Sequence, residues 1–88
     1  MQIEYEKSFL KDVKKLRCSS IIHKLMAILQ SLEISDNLSK CQNIKKLKGH
    51  DIYYRLKIGD YRLGFSFENN EINIIRFLHR KDIYKLFP

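Results

Sequence analysis

The stretch from Tyr53 to Phe65, YYRLKIGDYRLGF, constrains the fold more tightly than any other part of the chain. Tyr54, Leu56 and Ile58 alternate with Tyr53, Arg55 and Lys57. After Gly59 and Asp60 the alternation resumes, with Tyr61, Leu63, Phe65 and Phe67 set against Arg62, Gly64 and Ser66. A period of two is the signature of a half-buried strand. A Gly-Asp pair between two such runs predicts a two-residue hairpin, and glycine in first place suits a type II′ turn. That loop sets Ile58 opposite Tyr61, Lys57 opposite Arg62 and Leu56 opposite Leu63. One face of the hairpin is then apolar. The other gathers Arg55, Lys57 and Arg62, with Tyr53 beside them. Like charges directly opposite one another destabilise a sheet. Such a cluster is tolerated where solvent relieves the repulsion or where an anion sits among the cations. Arg is suited to bidentate phosphate contact and Lys to a point-charge contact.

The flanking sequence supplies what the apolar face packs against. QIEYE, residues 2–6, alternates and predicts a short first strand. In SFLKDVKKLR, Phe9, Leu10, Val13 and Leu16 recur at helical spacing, with Ser8 as N-cap. SSIIHKLMAILQSLEIS is a longer amphipathic helix whose broad stripe runs through Ile21, Ile22, Leu25, Met26, Ile28, Leu29 and Leu32. Few residues separate the two helices, which predicts an antiparallel helical hairpin. His23 lies in the second helix with no catalytic group near it, and reads as a surface or structural histidine. SDNLSKCQNIKKLKGHD reads as a connecting loop with one turn of helix. Asn69 and Asn70 mark a second turn, since Asn tolerates positive φ. EINIIRFLH is a further strand. Its adjacent Ile74 and Ile75 break the alternation, as a bulge or a strand buried on both faces would. RKDIYKLFP closes the chain as a short helical turn or an extended tail. The expected fold is α+β, in the order β-α-α-β-β-β. A two-helix hairpin covers one face of a small, mostly antiparallel sheet and the other face is left open.

A chain of 88 residues reads as one domain over 1–88. It buries about 60% of its unfolded surface, too little for a large cofactor cavity. The 17 Lys and Arg against 10 Asp and Glu give a net charge of +7, which favours a polyanionic partner. Between Lys40 and Arg62 seven residues are basic and two, Asp51 and Asp60, are acidic. A basic patch alone fits a solvated face as well as a binding site. Cys18 and Cys41 stand far apart with no metal-ligand spacing, so neither a disulfide framework nor a zinc site is expected. No apolar run reaches about 18 residues, and MQIEYEKSF lacks the apolar core of a signal peptide. A cytoplasmic protein with no membrane partner is expected.

HRKDIY brings His79, Arg80 and Tyr84 to the edge of the same sheet. A basic face with Tyr, His and Lys has the parts for cutting RNA, which carries its own nucleophile in the ribose 2′-hydroxyl. An enzyme need only remove that proton, neutralise the phosphorane and protonate the leaving 5′-oxygen. No metal or other cofactor is needed if Arg and Lys hold the charge. On pattern alone, simple anion binding is the plainer alternative.

Four stretches in this order, IEYEKSFLKDVKKL, LKG at Leu47 to Gly49, YYRLKIGDYRLGF and HRKDIYK, resemble a RelE-type toxin of the RelE/ParE superfamily of type II toxin–antitoxin systems. The resemblance spans the whole chain. It implies an endoribonuclease that cleaves mRNA, often on the ribosome, and that is neutralised by a cognate antitoxin. It implies a role for each matching position. Lys57 is the general base, Arg62 holds the scissile phosphate, Arg80 stabilises the phosphorane or protonates the leaving oxygen, and Tyr84 stacks on or orients the nucleotide. Arg55 stands where the best-known members carry a second lysine. It keeps the charge but is no base, because a guanidinium does not give up its proton in a protein. His79 stands where some relatives use an acid–base histidine, so the acid is either Arg80 or His79. Lys48 and Tyr53 complete the expected substrate contacts. Two other functions share the fold: a ParE-like inhibitor of DNA gyrase that cuts nothing, and a decayed toxin that only binds RNA.

Overall fold

The computed structural model describes residues 1–88, except for the side chain of Lys40, whose place in the basic stretch therefore lies outside the described residues. The chain runs β1 (Gln2–Tyr5), α1 (Lys7–Lys14), α2 (Ser19–Ile34), a 3-10 turn (Leu38–Lys40), β2 (Ile44–Lys46), β3 (Tyr53–Ile58), β4 (Tyr61–Glu68), β5 (Glu71–His79) and α3 (Arg80–Leu86). The sheet order is β1-β5-β4-β3-β2. Only β1 and β5 are parallel; the other three pairings are antiparallel.

The hairpin has the register its alternation predicts, with Ile58 opposite Tyr61, Lys57 opposite Arg62 and Leu56 opposite Leu63. Gly59 is left-handed at φ +58° and Asp60 is not, as a type II′ turn requires. Asn69 and Asn70 are both left-handed, at +51° and +60°, which is the type I′ pattern. The doubled isoleucine is a bulge: Gly64 pairs with Arg76 and Phe65 with Ile74, so Ile75 is the extra residue.

Leu56, Ile58, Leu63, Phe65, Ile72, Ile74 and Phe77 form the sheet's half of the core. Phe9 of α1 and Leu25, Leu29 and Leu32 of α2 form the other half. The two helices rest on different strands, α1 along β5 and α2 against β1 and β3. Between them runs an apolar groove bordered by Tyr5, Leu10, Met26 and Glu33. Met26 lies in the predicted apolar stripe yet is exposed there.

Helix α1 takes over the β5 edge where β1 stops. The backbone N–H of Glu6 donates to the Ile74 carbonyl at 2.8 Å. The Ser8 hydroxyl donates to the Ile75 carbonyl at 2.6 Å. Ser8 is therefore not the N-cap; the helix begins at Lys7 behind Glu6, and the hydroxyl is spent on the strand. Asp12, 5% exposed, accepts from Arg76 Nε at 2.8 Å, from Nη2 at 2.9 Å and from the Phe77 N–H at 3.0 Å. A buried carboxylate with one or no such partners would be costly. Here three donors satisfy it and close an otherwise unpaired strand edge.

Two further expectations need correction. The loop before the hairpin contains β2, whose Ile44–Lys46 pairs with Tyr54–Leu56. The second sheet face is not wholly open either. The closing segment is the helix α3, with Ile83 fully buried and Phe87 5% exposed. The Phe87 ring lies over Gly64: a Cβ there would come within 2.8 Å of it. The ring also meets Tyr53 edge-on, 5.8 Å between centroids. What remains uncovered is a cleft between α3 and strands β2 to β4.

Candidate nucleic-acid interface

The cleft is built from the polar side of the hairpin. Lys57 and Arg62 are a cross-strand pair, and β2 adds Lys45 directly opposite Arg55. These four cations line an open cavity of about 360 Å³ together with Asn43, Ile44 and Tyr84. No acidic side chain is among the described residues that line it.

Local bonding fixes several of these groups. Arg62 Nη1 donates to the carbonyls of Gly59 at 3.0 Å and Tyr61 at 2.9 Å, which folds the guanidinium onto its own turn. The Arg55 guanidinium carbon sits 4.5 Å from the centre of the Tyr84 ring, a cation–π contact that ties β3 to α3. Tyr84 is nonetheless 69% exposed, so the ring offers free surface to a ligand. Asn43 is left-handed at φ +65°, and its carbonyl accepts the Lys57 N–H at 3.0 Å. The start of β2 is thereby locked against the strand that carries Lys57. The Tyr84 phenol is held below its ordinary value, first by hydrogen bonding from Arg55 and by its charge, then by the charges of Arg62 and Lys45. Cations from three strands thus act on one hydroxyl of the facing helix.

Of the predicted site residues, the structure brings Arg55, Lys57, Arg62 and Tyr84 together. The other four lie outside the cleft lining. Arg80 is exposed at the first position of α3, and its backbone N–H donates to the Asp60 carbonyl at 2.8 Å, pinning the helix start to the hairpin turn. His79 caps α3, with Nδ1 accepting the Lys81 N–H at 3.2 Å. Its ring stands edge-on to Tyr61 at 5.6 Å and lines a separate groove with Asp12 and Arg76. Tyr53 is packed edge-on between His50 and Phe87. Lys48 is exposed in the turn between β2 and β3. Sequence alone does not mark Lys45 and Asn43 as cleft residues. Lys45 shows only as one member of a basic stretch, because a three-residue strand is too short to display a period.

The family model for the ParE toxin of type II toxin–antitoxin system, parDE, matches residues 3–84. The chain belongs to this toxin family. Within the family it is similar to toxin RelE3 of Methanocaldococcus jannaschii, with 36% identity over 89 residues that cover 100% of both chains. Its structure is similar to that of the RelB-RelE antitoxin–toxin complex from Methanococcus jannaschii, with a TM-score of 0.83 and 35% identity over 97% of this chain and 99% of that one. The archaeal RelE-RelB complex from Pyrococcus horikoshii OT3 shares the fold at a TM-score of 0.72 and 21% identity, over 90% and 93% of the two chains. The chain is therefore a RelE-type toxin, as the four sequence stretches imply. Among the described residues no helix is long and apolar enough to cross a membrane.

Proposed function

We propose that this toxin is a metal-independent endoribonuclease that cleaves mRNA on the ribosome and so stops translation. One observation carries this reading: four cations and an exposed tyrosine line one cleft that has no carboxylate among its described lining residues. A phosphodiester passing to a phosphorane gains negative charge, and preorganised cations stabilise that gain. Lys57, as the free amine, takes the proton of the ribose 2′-hydroxyl. The 2′-oxygen then bonds to phosphorus and the bond to the 5′-oxygen breaks. Arg62, already held in place by the turn carbonyls, grips the phosphate. Arg55 assists it and Tyr84 orients the nucleotide. For the leaving 5′-oxygen the placement favours Arg80 over His79. The His79 ring is committed to Tyr61 and to the cap of α3, whereas the Arg80 side chain is exposed beside the hairpin turn. Lys48 and Tyr53 have supporting roles at the margin: Lys48 meets more distant phosphates and Tyr53 supports Phe87 beneath α3.

A cognate antitoxin is the second partner. Structural relatives are antitoxin–toxin complexes, and a net charge of +7 favours an acidic segment that folds as it binds. It would cover Arg55, Lys57 and Arg62, or displace α3 and carry Tyr84 out of the cleft.

The family model's ParE name favours one competing function, gyrase inhibition without RNA cleavage. Expression of a triple variant, Lys57→Ala, Arg62→Ala and Arg80→Ala, separates the two. The ribonuclease reading expects growth arrest to vanish while the protein stays folded. Retained toxicity of the folded variant sinks it and promotes the gyrase function.

A further inference from the structure

We infer that Lys45 binds the phosphate next to the scissile one, so that the cleft seats two consecutive phosphates of a single strand. The inference rests on the ribonuclease reading and extends its site by one nucleotide. Lys45 lies on β2, two strands from Arg62 on β4 and in the neighbouring cross-strand row. Strands stand about 4.8 Å apart and two residues span about 7 Å, so the two cations start from backbone positions about 12 Å apart along the diagonal. Lys57 and Arg62, directly opposite each other, are about 5 Å apart and can share one phosphate.

Two of the cations are already held by local contacts. The Arg62 guanidinium is folded onto Gly59 and Tyr61, and that of Arg55 lies on the Tyr84 ring. Lys45 makes no hydrogen bond or ion pair among the described residues and is exposed, so its ammonium is available. Charge points the same way. One phosphodiester carries a single negative charge; with Lys57 serving as the base, it leaves two of the other three cations, Lys45, Arg55 and Arg62, unneutralised. A second phosphate at the Lys45 end relieves the repulsion between Lys45 and Arg55, which face each other directly. Tyr84 lines the same cavity as both Arg62 and Lys45 and offers an exposed ring to the strand between them.

The test uses two 2′-O-methylated oligonucleotides that cannot be cut, a dinucleotide with one phosphate and a trinucleotide with two. Binding of each is measured against salt for the native protein, for Lys45→Gln and for Lys46→Gln. Lys46 is the next residue of β2, exposed and absent from the cleft lining. Each phosphate contact to a single strand contributes about 0.7 to the slope of log affinity against log salt. Lys45→Gln should therefore flatten the trinucleotide slope by about 0.7 and weaken that ligand several-fold, while the dinucleotide and Lys46→Gln show no such change. Equal losses on both ligands, or an unchanged trinucleotide slope, overturn the inference while the ribonuclease reading stands. Failure of the native protein to bind the trinucleotide also overturns the inference, while the ribonuclease reading is decided separately by cleavage on the ribosome.

Discussion

The β3–β4 hairpin faces two environments. On one side Leu56, Ile58, Leu63 and Phe65 are 0–3% exposed and meet the two long helices. On the other, Arg55, Lys57 and Arg62 share the same strands and the same register, yet line a cleft with Tyr84. The apolar side gains from every buried methylene. The polar side gains less: Phe87 covers it only at Gly64, and its pairs Lys57–Arg62 and Lys45–Arg55 set cation against cation, which costs stability. The difference teaches that one face holds the domain together, while the other, on the reading proposed above, is kept for a ligand at a small cost.

The sharpest way to break the comparison is to empty the first face. Phe65→Ala should remove about 3–5 kcal/mol of stability, as large-to-small changes at fully buried aromatics do. Urea denaturation measures this, and a loss below about 1 kcal/mol would deny that face its structural role. Gly64→Ala tests the one place where the faces are joined. The new methyl would lie 2.8 Å from Phe87 and must push the ring aside. Overpacking of this kind costs about 1–3 kcal/mol. Because Phe87 follows α3, RNA affinity should fall together with stability, as read by melting and by oligonucleotide binding.

Lys57→Ala empties the second face. Stability should change by no more than about 0.5 kcal/mol. RNA cleavage should fall by a factor of about 100 or more, the usual contribution of a general base. A destabilised but fully active variant would reverse the assignment of the faces.

The smallest effect is spectroscopic. Cations lower the Tyr84 phenol, whereas Tyr5, by the apolar groove, is raised by burial and then by the charge of Glu33. Phenol ionisation creates a negative charge, which the cleft favours and Glu33 opposes. In an ultraviolet pH titration Tyr84→Phe should therefore remove an early-ionising tyrosine and Tyr5→Phe a late one. The Tyr84 contribution to stability belongs to the alkaline range and is lost as pH falls through its folded value. If the two variants removed transitions in the reverse order, the electrostatic contrast between cleft and groove would fail.

Much of this architecture is legible in the sequence, for identifiable reasons. The period of two around Gly59-Asp60 fixes which residues face each other, and so gathers Lys57, Arg62 and Arg55 on one face by spacing alone. The doubled Ile74-Ile75 announces its bulge. What escapes is whatever depends on distant partners. Strand β2 has three residues and exists because β3 pairs with it. Helix α3 covers the second face because Phe87 finds the bare backbone of Gly64, 23 positions earlier in the chain. Ser8 looks like a cap, but its hydroxyl is drawn to Ile75 across the fold. His79 and Arg80 are adjacent in sequence. The start of α3 separates them, turning His79 toward Tyr61 and leaving Arg80 exposed.

The central claim, that the cleft cuts RNA by using the substrate's own 2′-hydroxyl, is tested most directly by the chemistry of the cut ends. A short RNA is treated with purified toxin in the presence of EDTA, in parallel with magnesium-buffered ribosomes programmed with mRNA. Cleavage should leave a 2′,3′-cyclic phosphate, or its hydrolysed 3′-phosphate, on one fragment and a 5′-hydroxyl on the other. It should disappear when the scissile nucleotide is 2′-O-methylated and in Lys57→Ala. Fragments bearing 5′-phosphates, or cleavage of the 2′-O-methylated RNA, would contradict it.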